Sequence, residues 1–208
     1  VLREIEEALG GNGYRRNYLF FTDDNIVADT AYALQLFKAI KPLGIRWISQ
    51  TDVRIALDEK LLKSARESGL MTVFIGFEAI DKSSLLVEIC PTKAAWCSRY
   101  EEAIKRLHDY GVIIEGAFIF GLDSHTRNVF KRTVEWAVKQ QIDVAQFTAS
   151  TPFPGTALFE RLFRQNRITA CLNDSYDWQR FNGFEVVFRP AQMTDDELKE
   201  GLIWAYQN

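Results

Sequence analysis

The stretch YEEAIKRLHDYGVIIEGAFIFG, at residues 100–121, decides the fold of this chain. Its first half predicts a helix that Gly111 closes, because glycine commonly follows the last turn of a helix. Its second half is a nearly continuous apolar run, which is typical of a strand whose two faces are both covered. A helix that leads directly into a buried strand indicates a β/α unit.

The same alternation continues on both sides of this stretch. Apolar strands are predicted at 17–22, 45–49, 71–77 and 142–148, and Asp29 or Thr30 and then Asp58 are positioned to cap the helices between them. Strands that alternate with helices favour βαβ units and a parallel sheet. The amphipathic leading helix at Val1 has no strand before it, so we expect an α/β fold: an open, partial TIM-like β/α barrel with five visible βα units of six.

Two other parallel folds are weaker interpretations. An eight-unit barrel needs more chain than 208 residues of this spacing provide. A doubly wound dinucleotide-binding sheet lacks the glycine-rich turn after its first visible strand. We therefore expect a barrel domain at 1–168, with its first strand missing, and a C-terminal extension at 169–208. In the extension, 184–188 suggests a strand and Thr194 caps a helix that ends near Tyr206.

Composition excludes several classes of function. The hydrophobic fraction of 47% is ample for a core, and a net charge of -3 gives no basic surface for nucleic acid. No apolar run is long enough for a membrane span. Cys90, Cys97 and Cys171 are too scattered for a disulfide framework, which predicts a reducing, cytoplasmic location and no metal ligation by these thiols. His125 follows an apolar strand in a polar turn, so it could reach a site.

Polar residues follow every predicted strand, and the carboxyl ends of parallel strands are where sites form in β/α folds. Each also has a structural interpretation: Asp23-Asp24 as a capping turn, Glu78 as a partner of a neighbour such as Arg54, and Gly121 as a tight turn. No nucleophile–base pair is evident, so no catalytic residue is assigned. The candidate binding residues at this rim are Asp23, Asp24, Ser49, Gln50, Arg54, Glu78, Ile119, Gly121, Thr151 and Pro152.

The ordered runs FTDDN, IRWISQ, FIGFEAID, GAFIFGLDSHT and TPFPGTALFERL resemble radical S-adenosylmethionine (SAM) enzymes. The resemblance covers nearly the whole chain and is strongest to the group that often carries a cobalamin-binding domain. DWQRFNGFEVVFRP in the extension also resembles the segment that follows the barrel in that group. The resemblance implies an open six-unit β/α barrel.

The resemblance also implies roles for the rim residues. Asp23-Asp24 would contact the amino group of SAM, and Arg54 its carboxylate. Ser49 and Gln50 would make polar contacts with SAM, and Glu78 a hydrogen bond. Ile119 and Gly121 would contact the adenine, with Ala117 replacing the first glycine of the family pattern. The loop that begins with Thr151 and Pro152 would close over the adenine.

The family's cofactors are SAM and a [4Fe–4S] cluster held by three cysteines spaced C-x3-C-x2-C. This chain lacks that motif, so we expect the cluster ligands upstream of Val1; the alternative is a protein that has lost the chemistry. In the family, one electron cleaves SAM into methionine and a 5′-deoxyadenosyl radical, which takes a hydrogen from the substrate. The resemblance implies an electron donor such as flavodoxin or ferredoxin and an unknown small-molecule substrate. It leaves open cobalamin-dependent methyl transfer and ring rearrangement.

Two alternatives from other classes stay open. The first is a divalent-metal-dependent barrel hydrolase or lyase that uses Asp23, Asp24 and Glu78, because carboxylates suit magnesium or manganese. The second is a non-catalytic domain that binds SAM or another nucleotide, or serves as a scaffold. Metal-dependent turnover would favour the first, and binding without turnover the second.

Overall fold

The computed structural model of the chain describes residues 1–10, 18–172 and 175–208. Asn17, the predicted first residue of a strand, lies outside the described residues. None of the described helices is both long and apolar enough to cross a bilayer.

Five parallel strands form one open sheet with helices between them, which confirms the predicted fold class. The strand order in the sheet is the order in the chain, so each strand lies beside the next one. The strands are β1 (Tyr18–Phe21), β2 (Arg46–Thr51), β3 (Leu70–Glu78), β4 (Ile113–Phe120) and β5 (Val144–Ala149). A separate antiparallel pair consists of β6 (Cys171–Leu172) and β7 (Ser175–Tyr176).

Helices lie in the intervals where the alternation predicts them, and short further helices occur where none was predicted. The helices are α1 (Leu2–Gly10), α2 (Thr30–Ile40), α3 (Arg54–Leu57), α4 (Glu59–Glu67), α5 (Lys82–Ser84), α6 (Pro91–Trp96), α7 (Tyr100–Asp109), α8 (Val129–Lys139), α9 (Ala157–Arg164) and α10 (Asp195–Gln207). The predicted caps are confirmed, since the side chains of Asp29, Asp58 and Thr194 each accept a backbone N–H in the first turn of α2, α4 and α10. Thr194 and Glu197 form a reciprocal capping box.

The chain divides into two compact units, which are described separately. The first comprises 1–76, 98–116 and 142–144, and the second comprises 77–97, 117–141 and 145–208. Trp47 on β2 is fully buried in the first unit. Its indole ring stacks on Phe37 at 5.1 Å, and its Nε1 donates to the carbonyl oxygen and the hydroxyl of Ser68. The indole thereby buries its ring while its polar group stays satisfied.

In the second unit, phenylalanines from three strands form the centre of the core. Phe118 on β4 stacks on Phe77 of β3 at 5.6 Å and on Phe147 of β5 at 5.7 Å. The C-terminal segment belongs to the same unit, where the hydroxyl of Tyr206 donates to the carbonyl oxygen of Phe147 and accepts from its N–H. The last strand of the sheet therefore has part of its backbone satisfied by α10.

The predicted strand at 184–188 is wrong. The side-chain oxygen of Asn182 accepts the N–H groups of Phe184 and Glu185 at 2.9 and 3.0 Å. This turn uses backbone donors that a strand ladder would need. Only an isolated antiparallel bridge between Ile168 and Phe188 remains. The segment between β3 and α7, to which the sequence assigned no element, contains α5, a π-helical turn at Leu85–Ile89 and α6.

Gly69 allows a very close approach of two backbone segments in the first unit. Its φ is +106°, and a Cβ atom at this position would overlap the carbonyl oxygen of Ile45. Gly111 also has a positive φ, +66°, but a Cβ atom there would meet nothing within 4 Å.

We expect Gly69→Ala to destabilise the protein far more than Gly111→Ala. Both substitutions force alanine into a left-handed conformation, which costs about 1–2 kcal/mol. Only Gly69→Ala must also move backbone, so its loss in the free energy of unfolding should exceed the Gly111→Ala loss by at least about 1 kcal/mol. Urea denaturation of both variants measures the difference, and equal losses would contradict the close approach.

Candidate functional site

The predicted rim residues of the first unit lie at the ends of β1 and β2. Asp23 and Asp24 follow β1 and are exposed. Ser49 is fully buried, and its hydroxyl donates to the carbonyl oxygen of Phe21 at 3.2 Å, so it links β2 to β1. Gln50 is half-buried near the end of β2. This strand extends to Thr51, beyond the predicted end at residue 49.

A hydrogen-bonded group around Asp52 orders the chain that follows β2. The Asp52 carboxylate accepts from the side-chain amide of Asn25 at 2.8 Å and from both the backbone N–H and Nε of Arg54 at 2.9 Å. Burial raises the pKa of Asp52, but the hydrogen bonds from Arg54 and Asn25 outweigh it and leave the pKa below its ordinary value. Arg54 is therefore ion-paired with Asp52 within the first unit.

In the second unit, Glu78 ends β3 in a left-handed conformation, with a φ of +65°. Its Oε1 lies 2.5 Å from Nζ of Lys93 on α6. The side chains of Glu78 and Lys93 are only 18% and 33% exposed, so this pair is better shielded from water than an ordinary surface ion pair. Lys93 is a partner of a predicted site residue that the sequence interpretation missed.

A cavity of about 370 Å³ lies within the second unit, at the ends of β4 and β5. Its size is within the usual range of small-molecule sites. Two of the predicted site residues, Ile119 and Thr151, line it. The other lining residues are Glu88, Ile89, Leu122, Thr148, Ala149, Ser150, Phe153, Leu158, Arg161 and Gly183.

The wall of this cavity is mainly apolar, with a charged pair at one side. Arg161 of α9 forms an ion pair with Asp123, whose other oxygen lies 2.6 Å from Arg167. Burial raises the pKa of Asp123, but Arg167 and Arg161 lower it by a larger amount, so the carboxylate stays ionised. The chain thus offers an apolar pocket with fixed polar groups near its margin.

Gly121 and Pro152 are both buried beside β4 and β5. Gly121 has a φ of +89°, and a Cβ atom there would lie 2.7 Å from Cδ2 of Leu198 and 2.9 Å from Cζ of Phe188. The positive φ therefore favours glycine without any ligand, and the side-chain ends of Leu198 and Phe188 would have to shift to admit a Cβ atom. A ligand contact at Gly121 stays a prediction.

His125 is buried, with 3% exposure, and neither ring nitrogen has a hydrogen-bond partner among the described residues. Burial lowers its pKa, and the nearby carboxylates of Asp81 and Glu88 counteract this only in part, while Arg132 lowers it further. The imidazole is therefore held neutral in the folded protein at neutral pH.

This burial gives stability a defined pH dependence. Because the folded pKa of His125 lies below its unfolded value of about 6.5, protons bind the unfolded chain first as the pH falls. The contribution of His125 is fully present above pH 6.5 and is lost as the pH falls through the unfolded pKa toward the folded one, with a slope of at most about 1.4 kcal/mol per pH unit.

We expect His125→Leu to flatten the decline of stability between pH 7 and 5, because it removes this titrating group. His108→Gln is the control, since His108 is half-buried on α7 and its Nε2 lies 3.3 Å from Asp143. Denaturant midpoints across this pH range measure the slopes. A His125→Leu slope that matches the wild-type slope would refute the burial of a neutral imidazole.

No group of three or more histidine, cysteine, aspartate or glutamate side chains in the described ranges could hold a metal ion. Cys90 and Cys97 are half-buried free thiols. Within these residues, nothing fits an iron–sulfur cluster.

No protein-family model matches the chain. The bacteriochlorophyllide d C-12(1)-methyltransferase of Chlorobaculum tepidum is 26% identical over 202 residues, which cover 97% of this chain and 42% of that protein. The anaerobic magnesium-protoporphyrin IX monomethyl ester cyclase of Cereibacter sphaeroides is 29% identical over 212 residues, covering 100% of this chain and 33% of the cyclase. This chain spans less than half the length of either relative.

Among solved structures, the radical SAM methyltransferase TsrM from Kitasatospora setae, with cobalamin and a [4Fe–4S] cluster bound, has a TM-score of 0.66 and 17% identity. The match covers 78% of this chain and 31% of TsrM. A second TsrM structure, with tryptophan and a SAM analogue bound, matches with the same TM-score and covers 32% of that chain. The chain shares the fold of TsrM, and the resemblance to radical SAM enzymes that the sequence predicts is confirmed at the level of the fold.

Proposed function

We propose that this chain is the SAM-binding part of a radical SAM enzyme that generates a 5′-deoxyadenosyl radical. The observation that carries the proposal is the parallel sheet shared with TsrM at a TM-score of 0.66. Sequence similarity to a methyltransferase and a cyclase over nearly the whole chain supports it.

The adenosine group is proposed to bind in the cavity of the second unit. In this proposal Ile119 offers an apolar surface to one face of the adenine. The backbone and hydroxyl of Thr151 lie beside it, and this hydroxyl donates to the carbonyl oxygen of Ala149 at 3.1 Å, which fixes its rotamer. The rigid turn with Pro152 limits motion of this wall.

The first unit contributes acidic groups to the proposal. Asp23 and Asp24 are exposed carboxylates that suit the ammonium group of SAM. Arg54 already donates to Asp52, so it can bind the SAM carboxylate only with donors that Asp52 leaves available. Glu78 in the second unit likewise already interacts with Lys93.

The [4Fe–4S] cluster is proposed to be held by residues other than those described. Because no described group fits it, the present residues define no step through the cluster. They bind and orient SAM in this proposal, and they shield it from water.

The relatives suggest the class of reaction. We propose methyl transfer or ring closure on a small molecule, with cobalamin as a further cofactor and a flavodoxin or ferredoxin as electron donor. The reducing, cytoplasmic location predicted from the cysteines is part of this proposal. No described group of side chains favours the divalent-metal hydrolase or lyase.

The test uses the full protein that contains this chain. Anaerobic reconstitution with iron and sulfide, followed by reduction with dithionite, should give 5′-deoxyadenosine and methionine from SAM. Absence of both products from a protein that has incorporated a cluster would refute the proposed enzyme activity. SAM binding without cleavage would favour the non-catalytic binding domain.

A second prediction locates the binding site. Ile119→Phe places a larger side chain in the cavity and should raise the Kd of SAM at least about tenfold, since a filled pocket excludes part of the ligand. Ile113→Phe is the control on the same strand, because Ile113 is 41% exposed at the opposite end of β4. Calorimetry measures the Kd of SAM for both variants, and equal affinities would show that SAM does not bind in this cavity.

A further inference from the structure

Glu88 lies in the π-helical turn between α5 and α6, and its carboxylate binds the loop that follows β4. Oε2 accepts the backbone N–H of Asp123 at 2.6 Å, and Oε1 accepts the backbone N–H of Ser124 at 3.0 Å. The hydroxyl of Ser124 donates to Oε1 at 2.7 Å. Two consecutive N–H groups and a hydroxyl therefore converge on one carboxylate, and hydrogen bonds to an ionised acceptor are stronger than neutral ones.

The loop is shaped to present these donors. Leu122 accepts the N–H of His125 at 2.9 Å, which closes a turn around Asp123 and Ser124. The side chain of Asp123 binds Arg161 and Arg167, while its backbone N–H donates to Glu88. The loop is thus held by the two arginines and by Glu88. Gln192 also donates to the carbonyl oxygen of Asp123 at 2.7 Å, and the hydroxyls of Ser84 and Ser124 lie 2.8 Å apart.

The same contact forms part of the cavity. Glu88 and Ile89 line it from the π-helical turn, and Leu122 lines it from the loop. The turn itself has limited apolar anchoring, since Leu85 is buried while Leu86 and Val87 are 52% and 80% exposed. Polar bonds from Glu88 therefore supply much of what holds this wall to the loop.

We propose that Glu88 is a positioning residue that fixes the Gly121–Ser124 loop against the π-helical turn and so preforms the cavity for its ligand. The inference rests on the proposed function only for the identity of the ligand, SAM. When the Glu88 bonds are broken, the loop populates open conformations, and the apparent affinity falls in proportion to the closed fraction. Ligand binding must then order this wall of the cavity, and the free energy of ordering is subtracted from the free energy of binding.

The experiment compares Glu88→Ala and Glu88→Gln in the full reconstituted protein. Glutamine keeps one carbonyl acceptor but loses the charge, so alanine should have the larger effect and glutamine an intermediate one. We expect faster hydrogen–deuterium exchange in peptides that cover 121–125, and a rise in the Kd of SAM of at least about tenfold for Glu88→Ala.

Ser83→Ala is the matched control. The Ser83 hydroxyl donates to Asp81 at 2.8 Å within the same segment, so this variant removes a local hydrogen bond and leaves the Glu88 contacts in place. It should keep wild-type exchange at 121–125 and wild-type affinity for SAM.

The outcomes separate this inference from the proposed function. Unchanged exchange in Glu88→Ala overturns the positioning role, and so does faster exchange with an unchanged Kd. Equal effects from Ser83→Ala show a general loss of stability and also overturn it. If the wild-type protein does not bind SAM, the proposed function fails, and the exchange data alone decide whether Glu88 holds the loop.

Discussion

The stack of phenylalanines on β3, β4 and β5 is the constraint on which the second unit depends. Phe77, Phe118 and Phe147 stack across the three strands, and Phe120 stacks on Phe147 at 5.5 Å. Successive side chains of a strand point to opposite faces, so burying Phe118 and Phe120 on one face places Ile119 on the other. The same alternation places Thr148 opposite Phe147. The cavity is therefore a consequence of the core packing, because both residues line it.

The elements that local sequence determines were predicted well. Asp29, Asp58 and Thr194 cap their helices through side-chain bonds to residues three positions away, so a short window contains both partners. The strand at 184–188 failed because Asn182, just before it, supplies a competing turn. Apolar composition alone does not reveal that competition.

The partners of the site residues could not be predicted in this way. Glu88 meets Asp123 and Ser124 across 35 and 36 residues of chain, and Lys93 meets Glu78 across 15. Such pairs depend on the course of the backbone between β3 and α7, where no strong periodicity indicated an element. The sequence therefore pointed to Ile119 and Thr151, which line the cavity, but not to the side chains that hold the surrounding loops.

Glycine at position 121 is explained by the folded chain itself, without reference to a ligand. The resemblance places it in a family pattern near adenine, whereas its φ of +89° favours glycine without any ligand, and its Cα lies close to the side chains of Leu198 and Phe188. Since Leu198 belongs to α10 and Tyr206 of the same helix binds the backbone of Phe147, the C-terminal segment supports the strands that bear the cavity. A substitution in α10 can therefore alter the cavity without any contact with its ligand, because it shifts the strand ends from which the cavity is built.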